Sequence, residues 1–290
     1  KEKPRLKITE AMSDSRYLSE DWWELTNVGD EPVDLYGYRW DDARGNIGGG
    51  PTVTSTVIIQ PGESVIFLEG HTPEFFTDWW GASNLPPGLQ FVTYTANGLD
   101  LSEEISIWNP TAIHEPFDDT VDAAQVIDSI VFAFATPGRS YWFTTNAPCA
   151  EPGVESIASE CGAFQAAENS DVASPGWTAQ TPPRVTSVHY DGSVTTLSWK
   201  AQPGSTTRVL YTPSLGPDPA AGWIEVGTFS FPGATGTATH SPQARALNVV
   251  SPLVPGGDTA SERTSGSERG AGFYRVVMIS SNVCPCELWR

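Results

Sequence analysis

The chain is expected to fold as an all-β protein of two tandem β-sandwiches, with one short helix in the first. Three observations lead there. From Trp22 to Trp40, Trp23 and Leu25, Val33 and Leu35, then Tyr36, Tyr38 and Trp40 stand two apart, with Asn27, Gly29, Asp30 and Pro32 between the runs. That is the pattern of a strand, a turn and a second strand. Eleven Trp, 8 Tyr and 12 Phe accompany 27 Gly and 24 Pro, a balance suited to short strands separated by turns. At 290 residues there is enough chain for two cores, and the strand pattern restarts at Arg184.

Taken in order, Leu6, Ile8 and Glu10 alternate as a first strand, and residues 11–21 read as a polar loop. After the 22–38 pair comes a loop with Gly48, Gly49 and Gly50. It lacks the Lys, the Ser/Thr and the strand-to-helix junction of a phosphate cradle, and reads as a hairpin tip. Residues 52–59, dense in β-branched side chains, and residues 64–68 read as strands around the Pro61-Gly62 turn. Thr72 as N-cap, Pro73 at the first helical position and Gly81 as terminator predict a helix, with Phe75, Phe76, Trp79 and Trp80 on one face. Core packing is the expectation for that face, and glycan stacking the alternative. Residues 90–94, 104–108 and 125–134 read as further strands, with the most acidic loop at 114–122.

Five ordered motifs carry a resemblance: Ile8-Thr9-Glu10, Trp23-Glu24-Leu25-Thr26-Asn27, Val33-Asp34-Leu35-Tyr36-Gly37-Tyr38, Gln60-Pro61-Gly62-Glu63 and Thr136-Pro137-Gly138-Arg139-Ser140. Together they resemble the lamin tail domain family as it occurs in secreted bacterial proteins, over residues 1–177. The resemblance implies an immunoglobulin-like β-sandwich, and a similar aromatic helix at 72–81. It implies no reaction, because such a fold carries many functions. Residues 178–183 read as a short stiff linker. In 184–290, Val194-Thr195-Thr196-Leu197-Ser198-Trp199 and Phe273-Tyr274-Arg275-Val276-Val277 resemble a fibronectin type III domain, which implies that Trp199 and Tyr274 are core anchors. A polar stretch at 241–271 is longer than a usual hairpin loop. Residues 283–290 either pair as a last strand or project.

Sixteen Lys and Arg against 35 Asp and Glu leave a net charge of -19, which disfavours nucleic acid as a partner. No apolar run reaches the roughly 20 residues of a transmembrane helix, so a soluble chain is expected. Its start at Lys1 suggests a processed secreted protein or a piece of a longer one. Secretion or a cell-surface location is the expectation. In that setting Cys149 and Cys161 are expected to pair around a Pro-Gly loop. Cys284 and Cys286 would form a strained ring, link to another chain or stay free.

A nucleophile elbow, His-Glu-x-x-His and a P-loop are all absent, and the four His are scattered. Asp118, Asp119 and Asp122, joined by Asp41 and Asp42, are candidate Ca²⁺ ligands, because Ca²⁺ takes clustered oxygens. A solvated acidic surface is the alternative. Trp22, Tyr36, Tyr38, Trp40 and Tyr141 are candidates for exposed aromatic binding residues. The functional expectation is a non-catalytic secreted or cell-surface module for adhesion, binding or assembly, with protein partners or copies of itself. A carbohydrate-binding module accessory to an enzyme is the alternative, and a hydrolase of unrecognised type the third reading.

Overall fold

The computed structural model describes residues 4–16, 21–42, 47–95, 98–134, 136–143, 153–160, 162–178, 181, 183–191, 193–202, 205–212, 223–230, 236–240, 247–248 and 273–280. The chain divides into two compact units, Lys1–Gln180 and Thr181–Arg290.

The first unit runs β1 (Leu6–Met12), β2 (Trp22–Asn27), β3 (Val33–Asp34), β4 (Arg39–Asp41), β5 (Ile58–Ile59), β6 (Ser64–Glu69), α1 (Pro73–Trp80), β7 (Gln90–Tyr94), β8 (Glu104–Trp108), α2 (Asp119–Ala124), β9 (Asp128–Val131), β10 (Tyr141–Trp142), β11 (Val154–Glu155), β12 (Phe164–Gln165) and β13 (Val172–Ala173). The main sheet has the order β11-β10-β1-β2-β6-β7, and a second has the order β4-β8-β9. Within the main sheet only the β6–β7 pairing is parallel.

Every residue of β2 is buried, so its two-residue period does not divide a core face from a wet one. Trp23 and Leu25 enter one core with Val65, Phe67, Trp40, Ile105 and Ile107. Trp22 enters a second with Ile66, Leu68, Met12 and the α1 residues Phe76, Trp79 and Trp80. The main sheet is thus a middle layer, covered on one face by β4 and β8 and on the other by α1 and the β12–β13 hairpin. Trp23 stacks on Phe67 with ring centroids 3.8 Å apart. Its neighbour Trp22 meets Phe76 and Trp80 edge-on at 5.6 and 5.9 Å.

Strand β1 departs from the expected alternation. Ile8 pairs with Leu25 and Glu10 with Glu24, so Thr9 is an extra residue in a β-bulge. Leu6, Ile8 and Ala11 face the first core and Met12 the second. Without the bulge Glu10 would share the apolar face of Ile8. With it, Thr9 and Glu10 both turn toward the side that holds Glu24.

The predicted helix is present as α1, capped by Thr72 and ended by Gly81 at φ 82°. Other expectations need correction. The acidic loop contains a second helix, α2, started by the Asp118 side chain accepting from the amides of Thr120 and Val121. Gln125 caps this helix, so the strand expected over 125–134 is confined to β9. Of residues 52–59 only Ile58 and Ile59 form a strand. Val53 and Val57 are buried with three exposed residues between them, so the chain arches outward there.

The second unit contains β14 (Arg184–Tyr190), β15 (Thr195–Lys200), β16 (Thr206–Thr212), β17 (Ile224–Ser230), β18 (Gly236–His240), β19 (Leu247–Asn248) and β20 (Phe273–Ser280). They form two sheets, β14-β15-β18-β19 and β17-β16-β20. Leu197, Trp199, Val209, Phe229 and Val276 form the core, with Tyr274 packed against it. The Trp199 indole N–H donates to Thr207 Oγ1 at 3.1 Å. The whole is all-β in class, and among the described residues no helix is long and apolar enough to cross a membrane.

Candidate functional site

Four of the five aromatic residues expected at the surface lie inside. Trp22, Tyr38, Trp40 and Tyr141 are buried, and only Tyr36, at 60% exposure, faces solvent. Tyr38, Trp40 and Tyr141 are taken up by the first core, and Trp22 by the second, on the other face of the main sheet. Trp40 packs edge-on against Trp23 and Tyr94. Tyr141 stacks on Phe132 and donates its hydroxyl to Phe134 O at 2.8 Å.

The acidic side chains hold the chain's own backbone. Asp118 accepts from the Thr120 hydroxyl at 2.5 Å and from two amides, which together hold its carboxyl below the usual range. Asp122 is buried, accepts from the amides of Ile47 and Glu115 at 3.3 Å each, and sits 2.8 Å from His114 Nδ1. It ties the 47–50 turn to the 109–118 loop. Asp119 is exposed, Asp41 is buried on β4 and Asp42 is half-buried. Among the described residues, no three His, Cys, Asp or Glu side chains are grouped to hold a metal ion. Cys149, Cys161, Cys284 and Cys286 lie outside the described residues, as do residues 283–290 and all of 241–271 except 247–248.

Two carboxylates that sequence reasoning passed over form the most unusual cluster. Glu10 and Glu24 face each other across β1 and β2, each with no exposed surface. Glu10 Oε1 accepts from Ser140 Oγ at 2.5 Å, Ser156 Oγ at 3.2 Å and the Ser174 amide at 2.9 Å. Its Oε2 accepts from Ser174 Oγ at 2.9 Å. Glu24 accepts from the hydroxyls of Thr9 at 2.5 Å and Thr26 at 3.3 Å, and from the Gly176 amide at 2.5 Å. Among the described residues neither has a cationic partner.

Burial, then the charge of Glu24, push the Glu10 carboxyl up to about 8 against the opposing hydrogen bonds. Burial raises Glu24 as well. Two carboxyls this close in a dry interior titrate as a pair, and at neutral pH the pair keeps a proton. The sequence signal was an acid at an interior position on each of two neighbouring strands.

A second feature lies at the surface. Phe117 is fully exposed, at 104%, and adopts φ 75°. A bulky side chain in this left-handed region costs about 1–2 kcal/mol. The loop that holds it is well fixed: Asp118 N donates to Glu115 O at 3.0 Å, and the Gln125 side chain both accepts from Ile113 N and donates to Ile113 O. Ile113 is itself 64% exposed. No family model matches the chain, and a search of curated proteins finds no match.

Proposed function

We propose that the chain is a non-catalytic extracellular binding module, with a lamin-tail-like immunoglobulin sandwich followed by a fibronectin type III-like unit. The two sheets enclosing the first core, and the Trp199-centred core of the second unit, support the domain reading. The observation that carries the binding reading is Phe117: an exposed apolar side chain kept in a costly backbone conformation by an ordered loop. Fixed aromatic anchors of this kind dominate protein recognition. Ile113 of the same loop is also exposed, and the segment carries the exposed acids Glu115, Asp118 and Asp119. Protein partners with an apolar pocket and a basic rim fit this surface.

The test is retention of cell-surface and matrix proteins by immobilised wild type, Phe117→Ser and Phe117→Gly chains. A partner of the wild type is expected to bind both variants at least ~10-fold more weakly. Phe117→Gly is expected to be no less stable than wild type, since glycine takes positive φ without strain. Equal retention by all three chains would remove Phe117 from the reading.

A further inference from the structure

The strap of residues 174–177 is held by the carboxylate pair itself. Ser174 bonds to Glu10 through its amide and its hydroxyl, and Gly176 bonds to Glu24 through its amide. Trp177 follows, buried, with its indole N–H on Asn84 O at 2.7 Å. Within four residues the chain reaches Thr181, where the second unit begins. The last part of the first unit before the junction is therefore anchored on the two buried acids.

We propose that Glu10 and Glu24 form a proton-gated latch, which holds residues 174–177 on the sheet while the pair carries a proton and releases them when both carboxyls are ionised. This is independent of the binding function proposed above. The groups around the pair make the gate one-sided. From β1 and β2 come only the two acids and the hydroxyls of Thr9 and Thr26, and from β6 the hydroxyl of Ser64. The β10 and β11 side supplies Ser140 and Ser156. The charged groups nearest in sequence there are turned elsewhere: Arg139 donates to Ser156 O, and Glu155 accepts from the Thr136 amide. The strap brings no ionisable side chain, being Ser174-Pro175-Gly176-Trp177.

The hydroxyl and amide donors of this shell, those of the strap included, favour the ionised carboxyls but are outweighed by burial. No cation among the described residues offsets a second negative charge, so ionising both acids draws in water. The strap closes over the pair without belonging to a strand, so its movement admits water at the least cost to the sheet.

Hydrogen exchange followed by mass spectrometry from pH 6 to 9.5, corrected for intrinsic rates, tests the latch. In the wild type, peptides spanning 172–178 are expected to lose protection by up to ~10-fold per pH unit above about pH 8, the slope of a single proton. Peptides from β2 and β15 should stay protected over the same range. Glu10→Gln, or Glu24→Gln if the first does not fold, should hold the strap closed to pH 9.5. The idea fails if strap protection in the wild type is independent of pH, or is lost only together with that of β2. It fails equally if a folded Gln variant follows the wild-type profile. The wild-type scan decides the matter even without a folded variant.

Discussion

Single residues at the centre of this protein do unlike work in adjacent positions. Trp22 and Trp23 are neighbours in sequence and belong to different cores. Glu24, next along, is equally buried and polar. The pair it forms with Glu10 sets a pH dependence whose sign follows from the raised Glu10 value of about 8, against 4.5 for an ordinary Glu. Below 4.5 the carboxyl is protonated folded or unfolded, and its stabilising contribution is fully present. Between 4.5 and about 8 the unfolded chain ionises while the folded one keeps its proton, so stability falls as pH rises. The fall attributable to this group is at most about 1.4 kcal/mol per pH unit. Urea unfolding of wild type and Glu10→Gln at pH 5, 6, 7 and 8 should show the wild type losing stability relative to the variant as pH rises. Parallel curves would mean that Glu10 is already ionised in the folded state.

At the level of elements, what could be read in advance depended on how local the cause was. Helix α1 was legible because its cap, its first-turn proline, its aromatic stripe and its terminal glycine are contiguous. Replacing Thr72 by Ala should cost about 0.5–1 kcal/mol in thermal or denaturant unfolding, since the Thr72 hydroxyl accepts the Phe75 amide. Strands β2, β6, β7 and β8 were legible from two-residue periods and turn signals. The second covering of the main sheet was only half legible, because α1 supplies one part and residues 164–177, far along the chain, the other, and no local pattern in β2 reports it. Of the aromatic candidates, Trp22 is buried for that reason, whereas Tyr38, Trp40 and Tyr141 belong to the first core. The bulge at Thr9 was equally hidden, since Leu6, Ile8 and Glu10 keep perfect alternation in sequence. Only the pairing partner shows that one residue is extra. Of the candidate site, Glu10 and Glu24 were visible as parts of motifs, whereas the Ser140, Ser156, Ser174 and Gly176 donors come from separate segments brought together by the fold.

For the molecule as a whole, a net charge of -19 on 290 residues means self-repulsion that added salt screens. Thermal unfolding at pH 7 is expected to move to higher temperature between about 20 mM and 500 mM NaCl, where the screening length shrinks below 5 Å or so. An unchanged or lower midpoint would show that local attractive pairs, such as Lys7 with Asp128, outweigh the global term. The doubly covered sheet also bears on how the protein is made. Strands β1, β2 and β6 are synthesised within the first 69 residues, but one side of that sheet receives its last covering only with residues 164–177. A nascent chain therefore carries Trp22, Ile66 and Leu68 with incomplete cover until residues 164–177 have been made, and the ribosome must pass residue 177 before the first unit can close.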